Sequence, residues 1–365
     1  MRARSPRSPR VRNRRHGWPV RCRACVVKAA VLHAFREPLV LEDVPRPRPG
    51  AGELLIELEA CGVCHSDVHL ADGDWPPLAA VTKRPLILGH EIVGRVTEIG
   101  EAVGEFRVGD RVGLPWVFWT CGECEMCREG NENLCSRQHI TGVTVDGGFA
   151  TFVRAPASHV VRIPDGLDPV HAAPLFCAGV TVYRALNQSG IRPGERLAIF
   201  GIGGLGHVAV QLGRELGAEV IAVDVSDAKL ALADSLGARR GLNASSANVI
   251  KELRSVGGVH VALVSSAARA AYDTAFSCLR PTGTLLVVGL PAENICFPPI
   301  LMAAGEVCIR ASAVGTRRDL HEVLAMAAKG KIRCETTSHP LEEVNSVLDR
   351  LRRGEISGRA VLTPC

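Results

Sequence analysis

Apolar residues in the first half of the chain occur in short runs separated by glycine and proline. Four such runs are VKAAVLHAF (27–35), ELLIELEACGV (53–63), EIVGRVTEIG (91–100) and DRVGLPW (110–116). Short runs of this length, bounded by turn residues, are typical of β-strands. The pattern therefore predicts a β-rich domain over residues 27–178, built like a Gly-rich barrel.

The pattern changes near residue 179, where apolar strands begin to alternate with amphipathic helices. The strand RLAIF (196–200) is followed by a helix over 205–217, and the strand EVIAVDVS (219–226) by a helix over 227–237. Strands that alternate with helices indicate a parallel sheet with crossover connections. Residues 179–311 are thus predicted to form a doubly wound α/β domain.

Composition and charge narrow the possible partners. The chain has 365 residues, of which 47% are apolar and 22% charged, as expected for about two globular domains. The net charge of +5 comes from residues 1–26, which hold nine arginines and no acid; the remainder has 34 basic and 38 acidic residues. This distribution gives no case for nucleic-acid binding, and no apolar run is long enough for a membrane span.

The basic segment 1–26 has three interpretations, namely a targeting peptide, a disordered arm, or a start codon assigned too early. The sequence favours the last two. The chain also has 14 cysteines and lacks a secretory signal. This combination points to metal binding or reduced thiols rather than disulfides, and predicts a cytoplasmic protein.

Four cysteines lie in the segment CGECEMCREGNENLC, with the spacing C-x2-C-x2-C-x7-C. Cysteines this close cannot easily form disulfides with one another, whereas short spacings suit tetrahedral thiolate coordination of zinc. An iron–sulfur cluster is the alternative, because C-x2-C-x2-C also begins a ferredoxin pattern. No proline follows the fourth cysteine, so the sequence favours a structural zinc site. Its ligands would be Cys121, Cys124, Cys127 and Cys135.

A glycine-rich turn, G-I-G-G-L-G, follows the strand at 196–200 and opens a helix. Glycines at these positions allow a tight turn and let backbone N–H groups approach a pyrophosphate. Asp224 ends the next strand, where an acidic side chain would bind ribose hydroxyls and repel a 2′-phosphate. The pattern predicts NAD rather than NADP. The glycines are Gly201, Gly203, Gly204 and Gly206.

A second group of metal-binding residue types is spread over three segments. CGVCHSDVH (61–69) and LGHEIVG (88–94) contain cysteine, histidine and acidic residues, and PLFCAGVTVYRAL (174–186) contains Cys177. Two thiolates and an imidazole would form a catalytic zinc site that leaves a fourth position open. Cys177 alone would be read as a small core residue, but its occurrence beside a dinucleotide-binding pattern favours the metal interpretation.

Together these motifs resemble the zinc-dependent alcohol dehydrogenases of the medium-chain dehydrogenase/reductase family, closest to the bacterial and yeast-type enzymes. The resemblance runs from about residue 27 to the end of the chain. It implies a GroES-like catalytic domain (27–178), a Rossmann NAD-binding domain (179–311) and a return to the catalytic domain (312–365). It also implies two zinc ions per chain, a homotetramer, and reversible NAD-dependent oxidation of primary or secondary alcohols.

The resemblance assigns roles to individual residues. It implies that Cys64, His90 and Cys177 bind the catalytic zinc, with Glu91 able to approach the metal and Asp67 orienting a ligand. A proton relay would run from Ser66 to His69, and bulky Trp75 and Trp116 would narrow the substrate pocket. The cofactor contacts implied beyond the glycines and Asp224 are His65, Thr181, Lys229, Val288 and Arg359.

Three other functions stay open at this level. An NADPH-dependent aldehyde reductase of the same family is disfavoured by Asp224. A zinc-braced protein without catalytic activity is disfavoured by the intact relay residues. A thiol redox protein would need a thioredoxin-like unit after Cys61-Gly-Val-Cys64, and none follows.

Overall fold

The computed structural model describes residues 26–291 and 293–364. The predictions for the basic N-terminal segment fall almost entirely outside these residues. The described strands are β1 (Val26–Leu32), β2 (Val40–Pro45), β3 (Glu53–Val63), β4 (Leu86–Ile87), β5 (Glu91–Ile99), β6 (Arg111–Leu114), β7 (Val117–Trp119), β8 (His139–Ile140), β9 (Phe152–Pro156), β10 (Val161–Arg162), β11 (Arg196–Phe200), β12 (Glu219–Asp224), β13 (Arg240–Asn243), β14 (Val259–Val264), β15 (Leu279–Val287), β16 (Cys308–Ala311), β17 (Thr336–Pro340) and β18 (Arg359–Thr363).

Helices lie mainly in the second half of the chain, as the pattern predicted. The described α-helices are α1 (His65–Asp72), α2 (Pro76–Val81), α3 (Glu125–Arg128), α4 (Pro169–Ala172), α5 (Ala178–Ser189), α6 (Gly206–Glu215), α7 (Asp227–Ser235), α8 (Val249–Ser255), α9 (Arg269–Ser277), α10 (Pro299–Gly305), α11 (Arg317–Ala328) and α12 (Val344–Arg352). No helix in the described part of the chain is both long enough and apolar enough to span a bilayer.

The strands of the first half pair antiparallel with one another, and β17 and β18 from the C-terminal segment add one parallel pair to the largest sheet. The largest has the order β10-β6-β5-β3-β18-β17, and β9 also pairs with β3. The last strand of the chain, β18, lies antiparallel to β3, with Val361 opposite Gly62. The C-terminal segment therefore completes the β-rich sheet that the N-terminal half begins.

The second half forms a six-stranded parallel sheet with the order β13-β12-β11-β14-β15-β16. The first strand of this unit, β11, lies in the middle, and the strand order reverses there, as in doubly wound dinucleotide-binding folds. Leu197 and Ile199 of β11 face a core that contains α6, while Ala198 and Phe200 face another that contains α8 and α9. Both faces of the strand are thus buried, which explains its continuous apolar sequence.

Candidate active site

Three distant segments bring a cluster of metal-binding side chains together. Cys64 directly precedes α1, His90 directly precedes β5, and Cys177 directly precedes α5. Their ligand atoms and a carboxylate oxygen of Glu91 all lie within 4.8 Å of one another, and all four residues are buried. The cluster therefore sits where the ends of α1, β5 and α5 converge.

The geometry of this cluster fits a zinc ion. The Sγ atoms of Cys64 and Cys177 are 3.9 Å apart, close to the edge of about 3.8 Å expected for two thiolates on one tetrahedral zinc. The Nε2 atom of His90 is buried and has no hydrogen-bond partner among the described residues. A buried imidazole nitrogen without a partner is costly unless it binds something, so this donor set suits a metal.

The surroundings of Cys64 also favour its thiolate form. A hydrogen bond from Cys177 holds the pKa of the Cys64 thiol well below its ordinary value, despite burial, and the charges of His90 and Arg359 act in the same direction. Because the thiolate is the form that binds metal, this environment supports ligation.

Asp67 braces two members of the cluster. Its Oδ2 accepts the backbone N–H of Cys64 at 2.8 Å, and its Oδ1 lies 3.2 Å from Nδ1 of His90. Burial is the largest single effect and lowers the pKa of His90, but the charge and hydrogen bond of Asp67 together with those of Cys64 outweigh it, so the pKa is raised. With Nδ1 directed at this carboxylate, Nε2 is the nitrogen left for a metal.

A fully buried ion pair joins the cluster to the glycine turn. Arg359 donates from Nη2 to Oε1 of Glu91, and both side chains are almost completely enclosed. Burial raises the pKa of Glu91 to about 7, although the Arg359 charge opposes this shift. On the other side, a Cβ added to Gly204 would lie 2.8 Å from Cδ of Arg359. The cluster and the dinucleotide-type turn are therefore separated by one arginine side chain.

The predicted relay residues lie at the edge of the cluster. The Oγ of Ser66 is 3.6 Å from Sγ of Cys64. His69 is one helical turn further along α1, and its Nδ1 lies 3.1 Å from Oδ2 of Asp74. Asp74 was not identified from the sequence, since it follows the helix and belongs to no motif.

Two tryptophan rings lie against histidines of this region, one against His69 and one against His90. The ring of Trp75 lies 4.5 Å from that of His69, and the ring of Trp116 meets His90 edge-on at 4.9 Å. His65 begins α1, with its ring 6.0 Å from that of His69, and burial lowers its pKa.

The glycine turn has the tight backbone that its sequence predicts. Gly201 has a φ of +92°, and a Cβ on Gly206 would lie 1.9 Å from the Gly201 carbonyl oxygen. Asp224 supports the turn, because its Oδ2 accepts the backbone N–H of Ile202 at 2.6 Å. The hydroxyl of Ser265 donates to the Gly201 carbonyl at 2.6 Å, a contact that the sequence did not reveal.

Three other predicted cofactor residues differ in their burial. Thr181 is buried in α5, and its hydroxyl has no partner among the described residues. Val288 is buried just after β15. Lys229 is half-buried on α7.

The four cysteines of the segment 121–135 also converge. Their Sγ atoms lie within 4.8 Å of one another, with Cys121 3.9 Å from Cys127 and 3.6 Å from Cys135. Hydrogen bonds from backbone N–H groups lower the pKa of Cys121 to about 6. These spacings fit a tetrahedral tetrathiolate site, and every described cysteine is a free thiol.

Helix α6 binds an extended segment that leads to β17, a contact that was not predicted from the sequence. His207 accepts the N–H of Glu335 at Nε2, and Gln211 exchanges two hydrogen bonds with the backbone of Arg333. The Nδ1–H of His207 donates to the Gly203 carbonyl. The glycine turn is thereby tied to the segment that returns to the β-rich sheet.

Comparison with known proteins agrees with this arrangement. The family model for the alcohol dehydrogenase GroES-like domain matches residues 50–165, and that for zinc-binding dehydrogenases matches residues 204–329. Two alcohol dehydrogenases of Geobacillus stearothermophilus are 47% and 48% identical to this chain over 337 and 339 residues, covering 92% of this chain and 98% and 99% of theirs. The crystal structure of the alcohol dehydrogenase of Aeropyrum pernix has a TM-score of 0.87 at 39% identity, covering 92% of this chain and all of that one.

The fold and the site define an oxidoreductase of the zinc-binding dehydrogenase type. The chain belongs to the zinc-type medium-chain alcohol dehydrogenase family. The predicted family, the predicted combination of a GroES-like and a Rossmann-type domain, and the predicted oxidation of alcohols are thus confirmed.

Proposed function

We propose that this enzyme uses NAD and a catalytic zinc to oxidise small primary or secondary alcohols reversibly. The observation that carries this proposal is the position of Arg359, which touches the Cys64–His90–Cys177 cluster through Glu91 and the glycine turn at Gly204. A substrate on the cluster would then lie close to a dinucleotide bound at the turn.

Cys64, His90 and Cys177 would hold the catalytic zinc, which supplies a Lewis acid that lowers the pKa of a bound alcohol. Asp67 orients His90 and the backbone of Cys64. Glu91 forms an ion pair with Arg359, and its carboxylate also lies beside the other ligand atoms of the cluster. This carboxylate could therefore replace one of the zinc ligands.

Ser66 and His69 would carry the substrate proton away. A hydroxyl can accept one proton while it donates another, so Ser66 suits the inner position beside Cys64. The side chain of His69 is 14% exposed, and it can exchange protons with water. Asp74, at 3.1 Å, would keep Nδ1 of His69 occupied and leave Nε2 for the relay.

The cofactor is proposed to be NAD because the carboxylate of Asp224 would face the adenosine ribose and repel a 2′-phosphate. Backbone N–H groups of the glycine turn, at the start of α6, would bind the pyrophosphate. The remaining contacts would come from His65, Thr181, Lys229, Val288 and Arg359.

Trp75 and Trp116 would make the substrate pocket narrow, which favours small alcohols. The four-cysteine segment would hold a second, structural zinc, because four protein thiolates leave no open position.

We further propose a cytoplasmic homotetramer. Free thiols throughout the described chain favour a reducing compartment. Strand β16 ends the parallel sheet, and beside it Ile300 and Leu301 of α10 are 74% and 56% exposed. An uncovered edge strand next to exposed apolar side chains is suited to pairing with another copy of the chain. Sedimentation of the wild type and of Ile300→Lys tests whether copies associate through this edge.

The function is tested by following NADH formation with a panel of short primary, secondary and aromatic alcohols, using NAD or NADP, before and after chelation. We expect activity with NAD that chelation abolishes and zinc restores. Equal or better turnover with NADP would reject the role of Asp224. Protein that holds two zinc ions per chain yet turns over no alcohol or aldehyde would overturn the catalytic proposal.

A further inference from the structure

The segment 121–135, here called the four-cysteine lobe, contacts both places where the chain passes between the β-rich half and the parallel sheet. The first passage is α5, which begins directly after Cys177. The second is the segment 313–317, which leads into α11. Three consecutive lobe residues, between the third and fourth cysteines, make these contacts.

Asn131 binds the first passage through a buried arginine. Arg184 of α5 donates from Nη2 to Oδ1 of Asn131 at 2.9 Å and from Nη1 to Oδ2 of Asp319 at 3.0 Å. The same Asp319 oxygen accepts from the backbone N–H and the hydroxyl of Thr316, which caps α11. Arg184, Asp319 and Thr316 are all buried, so one enclosed network joins the lobe, α5 and α11.

Glu132 and Asn133 bind the second passage. Glu132 accepts the backbone N–H of Arg317 at 3.0 Å and its guanidinium at 2.8 and 2.9 Å. Asn133, which is 3% exposed, donates from Nδ2 to the carbonyl of Ala313 at 2.8 Å. Burial raises the pKa of Glu132, but the bonds from Arg317 outweigh this and lower it, so the carboxylate stays charged.

The lobe has little core with which to hold these three residues in place. Only Asn133 and Cys135 are buried within 121–135. Its conformation must therefore come from the four thiolates and their ligand, and the three contacts depend on that conformation. Because the lobe contacts α5 at Arg184, about one turn after Thr181, a shift of the lobe would be transmitted to the helix that carries Thr181 and follows Cys177.

We propose that the four-cysteine lobe is a positioning element for the active site: through Asn131, Glu132 and Asn133 it clamps the two passages together and fixes α5. This proposal rests on the proposed roles of Cys177 and Thr181 only for its effect on activity. The clamp itself is a mechanical property of the lobe, α5 and α11.

The test compares the double variant Asn131→Ala/Glu132→Ala with Glu123→Ala, both prepared with zinc. Glu123 also lies in the lobe, but its ion pair with Arg137 is exposed and contacts neither passage. Hydrogen exchange of residues 178–189 and 313–320, zinc content, and KM and kcat are measured for each.

We expect the double variant to keep two zinc ions per chain and to show at least tenfold faster exchange in both peptides. We also expect a several-fold rise in KM for the cofactor with a smaller change in kcat, while Glu123→Ala behaves as wild type. Exchange in residues 178–189 that matches the control would overturn the proposal.

Two milder variants keep the test decisive if the double variant does not fold. Glu132→Gln keeps the shape of the side chain and should accelerate exchange mainly at 313–320, whereas Asn131→Asp keeps an acceptor for Arg184 and should protect α5 as in wild type. Wild-type exchange in Glu132→Gln would refute the clamp. Because exchange needs no turnover, an inactive enzyme with the expected exchange pattern would reject the proposed function alone.

Discussion

His207 stabilises the folded state only while its imidazole is neutral. It is completely buried at the start of α6, donates from Nδ1 to Gly203 at 2.9 Å, and accepts the N–H of Glu335 at 3.2 Å. A protonated imidazole has no acceptor, so it would lose the second bond. Burial, assisted by the Arg359 charge, lowers the pKa of His207 to about 4.

The lowered pKa sets the direction of the pH effect. An unfolded chain takes up a proton near the ordinary histidine pKa of about 6.5, while the folded protein resists it until about pH 4. The contribution of neutral His207 to the free energy of unfolding is therefore complete above pH 6.5 and is lost as the pH falls. At about 1.4 kcal/mol per pH unit, the folded state loses about 3 kcal/mol across this window.

The variant His207→Leu isolates this effect because it removes the titrating group and both hydrogen bonds but keeps an apolar side chain. Near neutral pH it should be less stable than wild type by about 1–3 kcal/mol, the cost of one buried polar group left without a partner. That difference should shrink as the pH falls and should vanish or reverse by pH 4, since only the wild type pays about 3 kcal/mol for protonation.

Urea unfolding, followed by tryptophan fluorescence at intervals from pH 7 to pH 4, measures the difference between the two proteins. Replacing the exposed His321 with leucine is the matched control, and it should leave the wild-type pH dependence unchanged. A difference between wild type and His207→Leu that stays constant with pH would refute the reasoning.

Four further variants test three separate parts of the site. Gly206→Ala would place a Cβ 1.9 Å from a backbone carbonyl and should cost several kcal/mol in thermal unfolding, whereas Gly203→Ala meets no atom within 4 Å and should be tolerated by the fold. Asp67→Ala should weaken zinc binding at the active site by about 10–100-fold, seen as a fall in zinc content toward one per chain, because His90 loses its orienting carboxylate; undiminished zinc content would reject this role. Trp116→Ala should improve kcat/KM for branched alcohols relative to ethanol, and unchanged selectivity would remove this ring from the pocket wall.

The sequence was most informative where structure depends on local periodicity. β11 and α6 were predictable because a fully apolar strand, a glycine turn and an amphipathic helix follow one another within twenty residues. The convergence of the four cysteines was also predictable, because the short spacing between them suits coordination of one metal ion by four thiolates. Asn131 and Arg184 were not, because they meet only after the chain has folded and neither belongs to a motif.

Residues that connect the two halves of the site were also beyond local reasoning. Asp74 and His207 have ordinary polar side chains, and their importance comes from partners that are fixed by the fold. Glu335 is 128 positions from His207, and no pattern in either segment predicts the hydrogen bond between them. The resemblance to known dehydrogenases supplied Arg359, whose burial and pairing no periodicity would predict.

The connection through Arg359 explains why two glycines in different domains are constrained together. A Cβ on Gly62 would lie 1.8 Å from Oε2 of Glu91, and a Cβ on Gly204 would lie 2.8 Å from Cδ of Arg359. Glu91 and Arg359 therefore occupy the space that side chains at these glycines would need, and they are held there by the pairing of β18 with β3. An alanine at Gly62 would have to displace the buried carboxylate of Glu91 from its ion pair with Arg359, and the displaced arginine would press on the glycine turn. The Cys64–His90–Cys177 cluster and the glycine turn are thus coupled by packing through Glu91 and Arg359.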